Sequence, residues 1–286
     1  MNSVVFVHAH PDDEAIWTGG TIAALVRRGV QVTVITCTMG ELGEVIGEPY
    51  QGLVAGRADQ LGGFRVRELT EALTVLGANG PSHQPIFLGG AGYWRDSGML
   101  GDPGNDDPRA FINSGDRAVA QLRVLLDDLQ PDLVITYDAD GGYGHPDHIR
   151  AHDITVAACG DNIPTAWAVT DHDTLAAGLA AITVVPEQWH SATIDDFASV
   201  TGEYGVVLDD AALSAKIRAL EAHATQAWVG NGSMSHTNPH AAWGSVDDSG
   251  RARGVWALSN LLCQPLVPME HYRRGTAENL AILGDE

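Results

Sequence analysis

A doubly wound α/β fold on a mainly parallel sheet is predicted by two features of the sequence. Short runs of β-branched and other apolar residues alternate with stretches whose apolar residues recur at helical spacing, and glycine or proline stands at most of the joints. Residues 3–8 read Ser-Val-Val-Phe-Val-His, apolar on both faces as a buried parallel strand requires. A helix over 15–28 follows, stopped by Gly29, and residues 30–36 repeat the strand pattern. Over 58–76, Leu61, Leu69, Leu73 and Leu76 share a helical face, and Gly77 ends it. Residues 85–88 make a short strand closed by Gly89-Gly90. Val119, Leu122, Leu126 and Leu129 mark the next helix, with Pro131 just beyond. A strand over 133–137 and a helix over 146–158 complete the series, Pro146 being tolerated in a first turn.

Past Gly160 the pattern thins. Residues 166–170, 181–185 and 206–208 are strand candidates, and 211–223 a helix. Residues 230–254 are rich in Gly, Ser, Asn, Asp and His, which predicts a long loop peripheral to any chemistry. The expected organisation is a Rossmann-like catalytic core over 1–170. A smaller C-terminal α/β portion over 171–286 packs on it and completes the pocket.

Composition narrows the partners. Thirty-seven acidic against 16 basic residues give a formal charge of −21, which disfavours nucleic acid and anionic lipid. The longest apolar run, 176–185, is interrupted by Gly178 and Thr183 and falls short of the ~20 residues a bilayer span needs. No basic stretch precedes Asp12, so a cytoplasmic protein is expected. Cys37, Cys159 and Cys263 form no CxxC pair and read as reduced, buried thiols.

Two segments carry the chemistry. His10-Pro11-Asp12-Asp13-Glu14 stands at the carboxyl end of the first strand, where a dinucleotide-binding protein would place a glycine-rich turn. Three consecutive carboxylates repel phosphate and suit a divalent cation. Tyr143-Gly144-His145-Pro146-Asp147-His148 follows the strand at 133–137, so both segments fall at the same sheet edge. Two histidines and a carboxylate form the kind of three-ligand zinc site that leaves a position open for water. A further carboxylate beside it can act as general base.

The pair of segments resembles the family of zinc-dependent N-acetylglucosamine deacetylases that includes the phosphatidylinositol-glycan enzymes and the LmbE-like proteins. The branch acting on a glucosaminyl-inositol in mycothiol biosynthesis is the most similar. Val7-His8-Ala9-His10-Pro11-Asp12-Asp13-Glu14, Thr36-Cys37-Thr38-Met39-Gly40-Glu41, Leu88-Gly89-Gly90-Ala91-Gly92, Arg95-Asp96-Ser97-Gly98-Met99 and Gly141-Gly142-Tyr143-Gly144-His145 carry that likeness. It is dense over 3–160 and patchy afterwards, with His223-Ala224-Thr225-Gln226 as a later anchor.

The resemblance implies one Zn2+ per chain, with Fe2+ as the alternative, held by His10, Asp13 and His148. It makes Asp12 the base. Tyr143 and His145 flank the developing oxyanion, His145 protonates the leaving amine, and Asp147 orients an imidazole. Arg65 and Asp96 would grip a small sugar-inositol substrate, with Glu44, Met99 and Gln226 lining the pocket. The residues leave alternatives open: an ion pair of Arg65 with Glu68 or Glu71, and a turn-forming role for Asp96 before Ser97-Gly98. His8 is expected to pack in the sheet. Trp17 departs from the family pattern, standing where a smaller or polar residue is expected. A conjugate amidase or a metal-dependent phosphoesterase would use the same centre, and these remain the competing functions.

Overall fold

The computed structural model describes residues 1–284. Among them, a seven-stranded sheet has the order β3-β2-β1-β4-β5-β12-β7. Its first five members are β1 (Ser3–His8), β2 (Gln31–Thr36), β3 (Ile86–Phe87), β4 (Leu133–Tyr137) and β5 (Thr165–Val169), all parallel to one another. Alternate residues of each strand enter opposite layers. Val4 and Phe6 pack with α1 (Asp13–Arg27), α2 (Leu61–Leu76) and the later helix of residues 210–222. Val5 and Val7 pack instead with Leu122 and Leu126 of α3 (Gly115–Leu129) and Ile154 of residues 146–159. Both faces are covered, so the strands are apolar throughout.

The remaining elements are α4 (Gly141–Gly144), one irregular turn; α5 (Pro146–Cys159); α6 (His172–Ala180); β6 (Ile182–Val184); β7 (Tyr204–Val207); and α7 (Asp210–Ala222). Short strands β8 (Trp228–Val229), β10 (Val255–Ala257) and β11 (Gln264–Pro265) form a second sheet, β9 (Ser245–Val246) pairs with β6, and β12 covers Met269–Arg274.

Most expected elements appear, while strands β8, β10, β11 and β12 are additions to them, and three further differences have a local cause. Helix α1 begins at Asp13, not at residue 15, because the Asp12 carbonyl already accepts the N–H groups of Ala15 and Ile16. Helix α6 was not foreseen, although Asp171 caps it by accepting the Thr174 N–H at 2.9 Å. Residues 230–254 are not wholly irregular: β9 pairs with β6, and Asn231 bridges Trp243.

The C-terminal portion joins the central sheet directly. Strand β12 runs antiparallel between β5 and β7, and α7 packs on α1 and α2. Cys37, Cys159 and Cys263 are free and buried. Among the described residues, no helix is long and apolar enough to cross a membrane.

Candidate functional site

The two chemistry-bearing segments meet above the carboxyl ends of β1 and β4. Three donor atoms form a nearly equilateral triangle. His10 Nδ1 lies 3.4 Å from Asp13 Oδ2, His148 Nε2 lies 3.4 Å from the same oxygen, and the two nitrogens are 3.3 Å apart. Each ring is fixed from behind. His10 donates through Nε2 to Asp147 Oδ2 at 3.2 Å, and His148 Nδ1 lies 3.1 Å from the Gly141 carbonyl. Donation at the far nitrogen leaves the lone pairs of His10 Nδ1 and His148 Nε2 directed into the triangle. Wider groupings of donor atoms also occur around His10, one with His145 and His148 and one with Asp96 and Asp147. The second is reached through His10 Nε2, which already donates to Asp147, and the first supplies no carboxylate to offset the ion's charge. The triangle with Asp13 is therefore the better cradle for a divalent cation.

Asp12 and Asp13 diverge because the backbone turns sharply between them. Asp12 has φ 104°, a strained value for a side-chain-bearing residue. Several contacts hold it there. Glu14 accepts the Asp12 N–H at 3.1 Å, the Asp13 carboxylate accepts the His10 N–H at 2.9 Å, and Arg65 donates to the Pro11 carbonyl. Glu14 is itself gripped by His223, whose Nε2 lies 2.6 Å from Glu14 Oε1. Asp13 thus faces the histidines while Asp12 turns toward Arg65, 3.1 Å away.

Burial pushes the Asp12 carboxyl up to about 6, only partly offset by Arg65. Burial acts the same way on Asp13, but His148 and His10 outweigh it and hold that carboxyl well below its usual range.

Tyr137, at the end of β4, was not singled out from the sequence. Its hydroxyl donates to Asp13 Oδ2 at 2.6 Å and accepts the Ala9 N–H at 2.8 Å, and its ring stacks on His148 at 4.1 Å. Asp147 is likewise held, accepting from Ser97 N at 2.9 Å and Ser97 Oγ at 2.6 Å.

His145 accepts the Asp147 N–H on Nδ1 at 3.1 Å. Burial, then the neighbouring His10 and His148, push its pKa down to about 3. Tyr143 is 51% exposed, with its ring edge-on to His145 and His148. Gly142, at φ 75°, lets that turn close over Trp17, since a Cβ there would lie 2.3 Å from the indole. The unexpected Trp17 therefore packs beneath the Tyr143 turn.

A cavity of about 730 Å³ opens from this cluster, and Arg65, Asp96, Glu44, Met99 and Gln226 all line it. Their commitments differ. Arg65 is 3% exposed and bonds the Gly40 carbonyl at 2.8 Å as well as Pro11 and Asp12. It makes no pair with Glu68, which bonds Thr225, or with Glu71, which pairs with Arg67. Asp96 does form the turn, accepting the Gly98 N–H at 2.8 Å, and it also accepts from Leu42 N at 3.1 Å. Glu44 accepts from Ser259, Gln226 donates to the Glu44 carbonyl, and Met99 is exposed. His8 is buried away from the triangle, with Nε2 3.0 Å from Thr18 Oγ1.

Comparison with known proteins gives the family and the fold. Residues 5–159 match the family model described as GlcNAc-PI de-N-acetylase (PIG-L). The chain is 56% identical, over 95% of its length and 92% of the relative's, to a Corynebacterium diphtheriae protein named 1D-myo-inositol 2-acetamido-2-deoxy-alpha-D-glucopyranoside deacetylase. Among solved structures it is similar to N,N'-diacetylchitobiose deacetylase of Pyrococcus horikoshii, with a TM-score of 0.52 and 20% identity over 78% of this chain and 70% of that one. It is equally similar to a Pseudomonas putida 4-carboxy-2-hydroxymuconate hydratase, at a TM-score of 0.53 and 18% identity over 79% and 80% of the two chains. One fold thus hosts different reactions, and the assignment of activity must rest on the site.

Proposed function

The chain belongs to the GlcNAc-PI de-N-acetylase family, and from that premise we propose that it hydrolyses the N-acetyl amide of an N-acetylglucosaminyl-inositol. Acetate and the free amine are released, as a step of mycothiol biosynthesis in the cytoplasm. The observation that carries the reading is the His10–Asp13–His148 triangle with Asp12 beside it. The 56% identity, over 95% of the chain, to a deacetylase of that named substrate narrows which amide is cleaved.

The donor set suits zinc. Ligand atoms arranged tetrahedrally at about 2.0–2.1 Å from the ion stand about 3.3–3.4 Å apart, and the triangle edges here are 3.3, 3.4 and 3.4 Å. When bound, zinc polarises the acetamide carbonyl and makes water acidic enough to attack near neutral pH. His10, Asp13 and His148 would hold it, with Asp147, Gly141 and Tyr137 fixing their orientation.

Asp12 takes the proton of the attacking water as its oxygen adds to the acetamide carbon. Tyr143 and His145 donate to the carbonyl oxygen as it gains charge. The C–N bond then breaks and the leaving nitrogen needs a proton. His145 accepts the Asp147 N–H on Nδ1, and a neutral imidazole in that tautomer offers one N–H to the oxyanion and no second proton to give. Asp12 therefore returns the proton to the amine, which revises the assignment that the resemblance implied for His145. Asp96, Glu44, Met99 and Gln226 face the sugar-inositol, whereas Arg65 acts through Asp12 and the Pro11 turn.

Acetate, cysteine-conjugate amide and phosphate release, measured side by side on one zinc-loaded sample, test the reading. Acetate release should dominate. Faster cleavage of the cysteine-linked amide would make the protein a conjugate amidase, and phosphate release would make it a phosphoesterase.

A further inference from the structure

The chain has one lysine, Lys216. It lies on α7 and is buried, its side chain 11% exposed, yet it lines the same cavity as the catalytic cluster. Nζ donates to the Ile16 carbonyl at 2.7 Å and to Glu270 Oε1 at 2.6 Å. Glu270, on β12, also lines the cavity and accepts the N–H groups of Gly20 at 2.9 Å and Thr21 at 2.8 Å. The pair is thus stitched to α1 over residues 16–21, the turn that follows the His10–Glu14 motif. Gly20 lets this region close up, because a Cβ there would lie 2.4 Å from Leu208.

A buried ion pair is an expensive way to hold three elements together, and apolar side chains of similar volume often do it as well or better. An ammonium has three N–H donors, and two are taken by Ile16 and Glu270. Among the described residues no protein acceptor is found for the third. The other strong cation of the cavity, Arg65, is committed to Pro11, Gly40 and Asp12. Arg65 Nε also lacks a partner but is shut away from solvent, whereas the Lys216 side chain keeps 11% exposure. Lys216 is therefore a cationic donor with spare capacity in a cavity otherwise edged by carboxylates such as Glu44, Asp96, Asp102 and Asp171.

We propose that Lys216, held by Glu270, is a substrate-binding residue whose third N–H donates to a hydroxyl oxygen of the polyol substrate, about one helical turn beyond the catalytic carboxylates. The inference rests on the deacetylase reading for the identity of that polyol. Glu270 is a positioning residue: it neutralises the ammonium and fixes its direction through the α1 backbone.

A single lysine makes the test direct. Protein labelled with 15N-lysine gives one side-chain ammonium resonance, which is followed while the product amine, glucosaminyl-inositol, is titrated into zinc-loaded enzyme. The resonance should move saturably, with the same Kd that product inhibition of acetate release gives. Lys216→Met should raise KM for the inositol conjugate by about 10- to 100-fold, the span expected of one hydrogen bond to a charged group. In that variant kcat should stay within about threefold and zinc content should be unchanged, while KM for plain N-acetylglucosamine moves less. Glu270→Gln should shift the ammonium resonance in the free enzyme and raise KM in the same direction.

An ammonium resonance unmoved at saturating product would overturn the proposal whatever the variants do, as would a Lys216→Met enzyme with unchanged KM. Absence of acetate release from the wild-type protein is a separate outcome. It would sink the deacetylase reading itself.

Discussion

At residue 12 the chain accepts a strained backbone so that two neighbouring carboxylates can face different ways. The strain is held by Glu14, by Arg65 at the Pro11 carbonyl, and by the Asp13 carboxylate on the His10 N–H. The division of labour follows and can be checked. Asp12→Asn should keep its metal and lose about 10²-fold or more in rate, the loss expected of a missing general base; near-native turnover would exclude that role. His148→Ala should lose most of its bound zinc, whereas metal analysis returning wild-type occupancy would remove His148 from the site. Tyr137→Phe keeps the ring on His148 but deletes the hydroxyl bonded to Asp13. Its zinc affinity should fall about 10- to 100-fold, as for other outer partners of a metal ligand, and competition with a chelator measures it. Histidine and aspartate in two short motifs made it legible in the sequence that these side chains converge. Tyr137 was not legible there, since nothing in a strand-ending tyrosine announces a bond to a carboxylate 124 residues away.

Helix α2 shows how an element braces the site through the backbone and a carboxylate. Its Arg65 points inward and joins Gly40, Pro11 and Asp12. Arg65→Met would strand the Asp12 carboxylate and two carbonyls. Removing one partner of a buried ion pair typically costs roughly 3–5 kcal/mol, so the variant should unfold at lower temperature and lose activity equally on the inositol conjugate and on N-acetylglucosamine. A selective loss on the conjugate, with stability intact, would return Arg65 to direct substrate binding. Residues 230–254 supply the contrasting case. None of them lines the cavity, but β9 is paired with β6. Deleting residues 231–250 should lower the unfolding temperature and leave zinc content unchanged, and loss of metal would show that the segment supports the centre. Elements with continuous apolar runs, such as β1 and β4, were readable. Strand β12 was hidden, because Met-Glu-His-Tyr-Arg-Arg looks exposed until Glu270 is seen bonded to α1 and Tyr272 to Thr21.

Across the whole molecule, the parallel strands and their crossovers deliver both motifs to one sheet edge, as strand order 2-1-4 requires when β1 and β4 are neighbours. The N-terminal part of that arrangement was legible because each strand and helix is encoded locally. The C-terminal part depends on long-range pairing of β12 with β5 and β7, which no local pattern records. It is also the part that supplies His223, Gln226 and Lys216 to the site and the cavity wall. The strongly acidic composition fits a neutral or cationic small ligand better than a phosphorylated one. The most direct test of the central claim is acetate release from N-acetylglucosaminyl-inositol by metal-stripped protein before and after one equivalent of zinc is restored. The account predicts negligible release without metal, recovery at one zinc per chain, and no recovery in His148→Ala. Full activity in the stripped protein, or zinc-restored protein that leaves the acetamide intact, would contradict it.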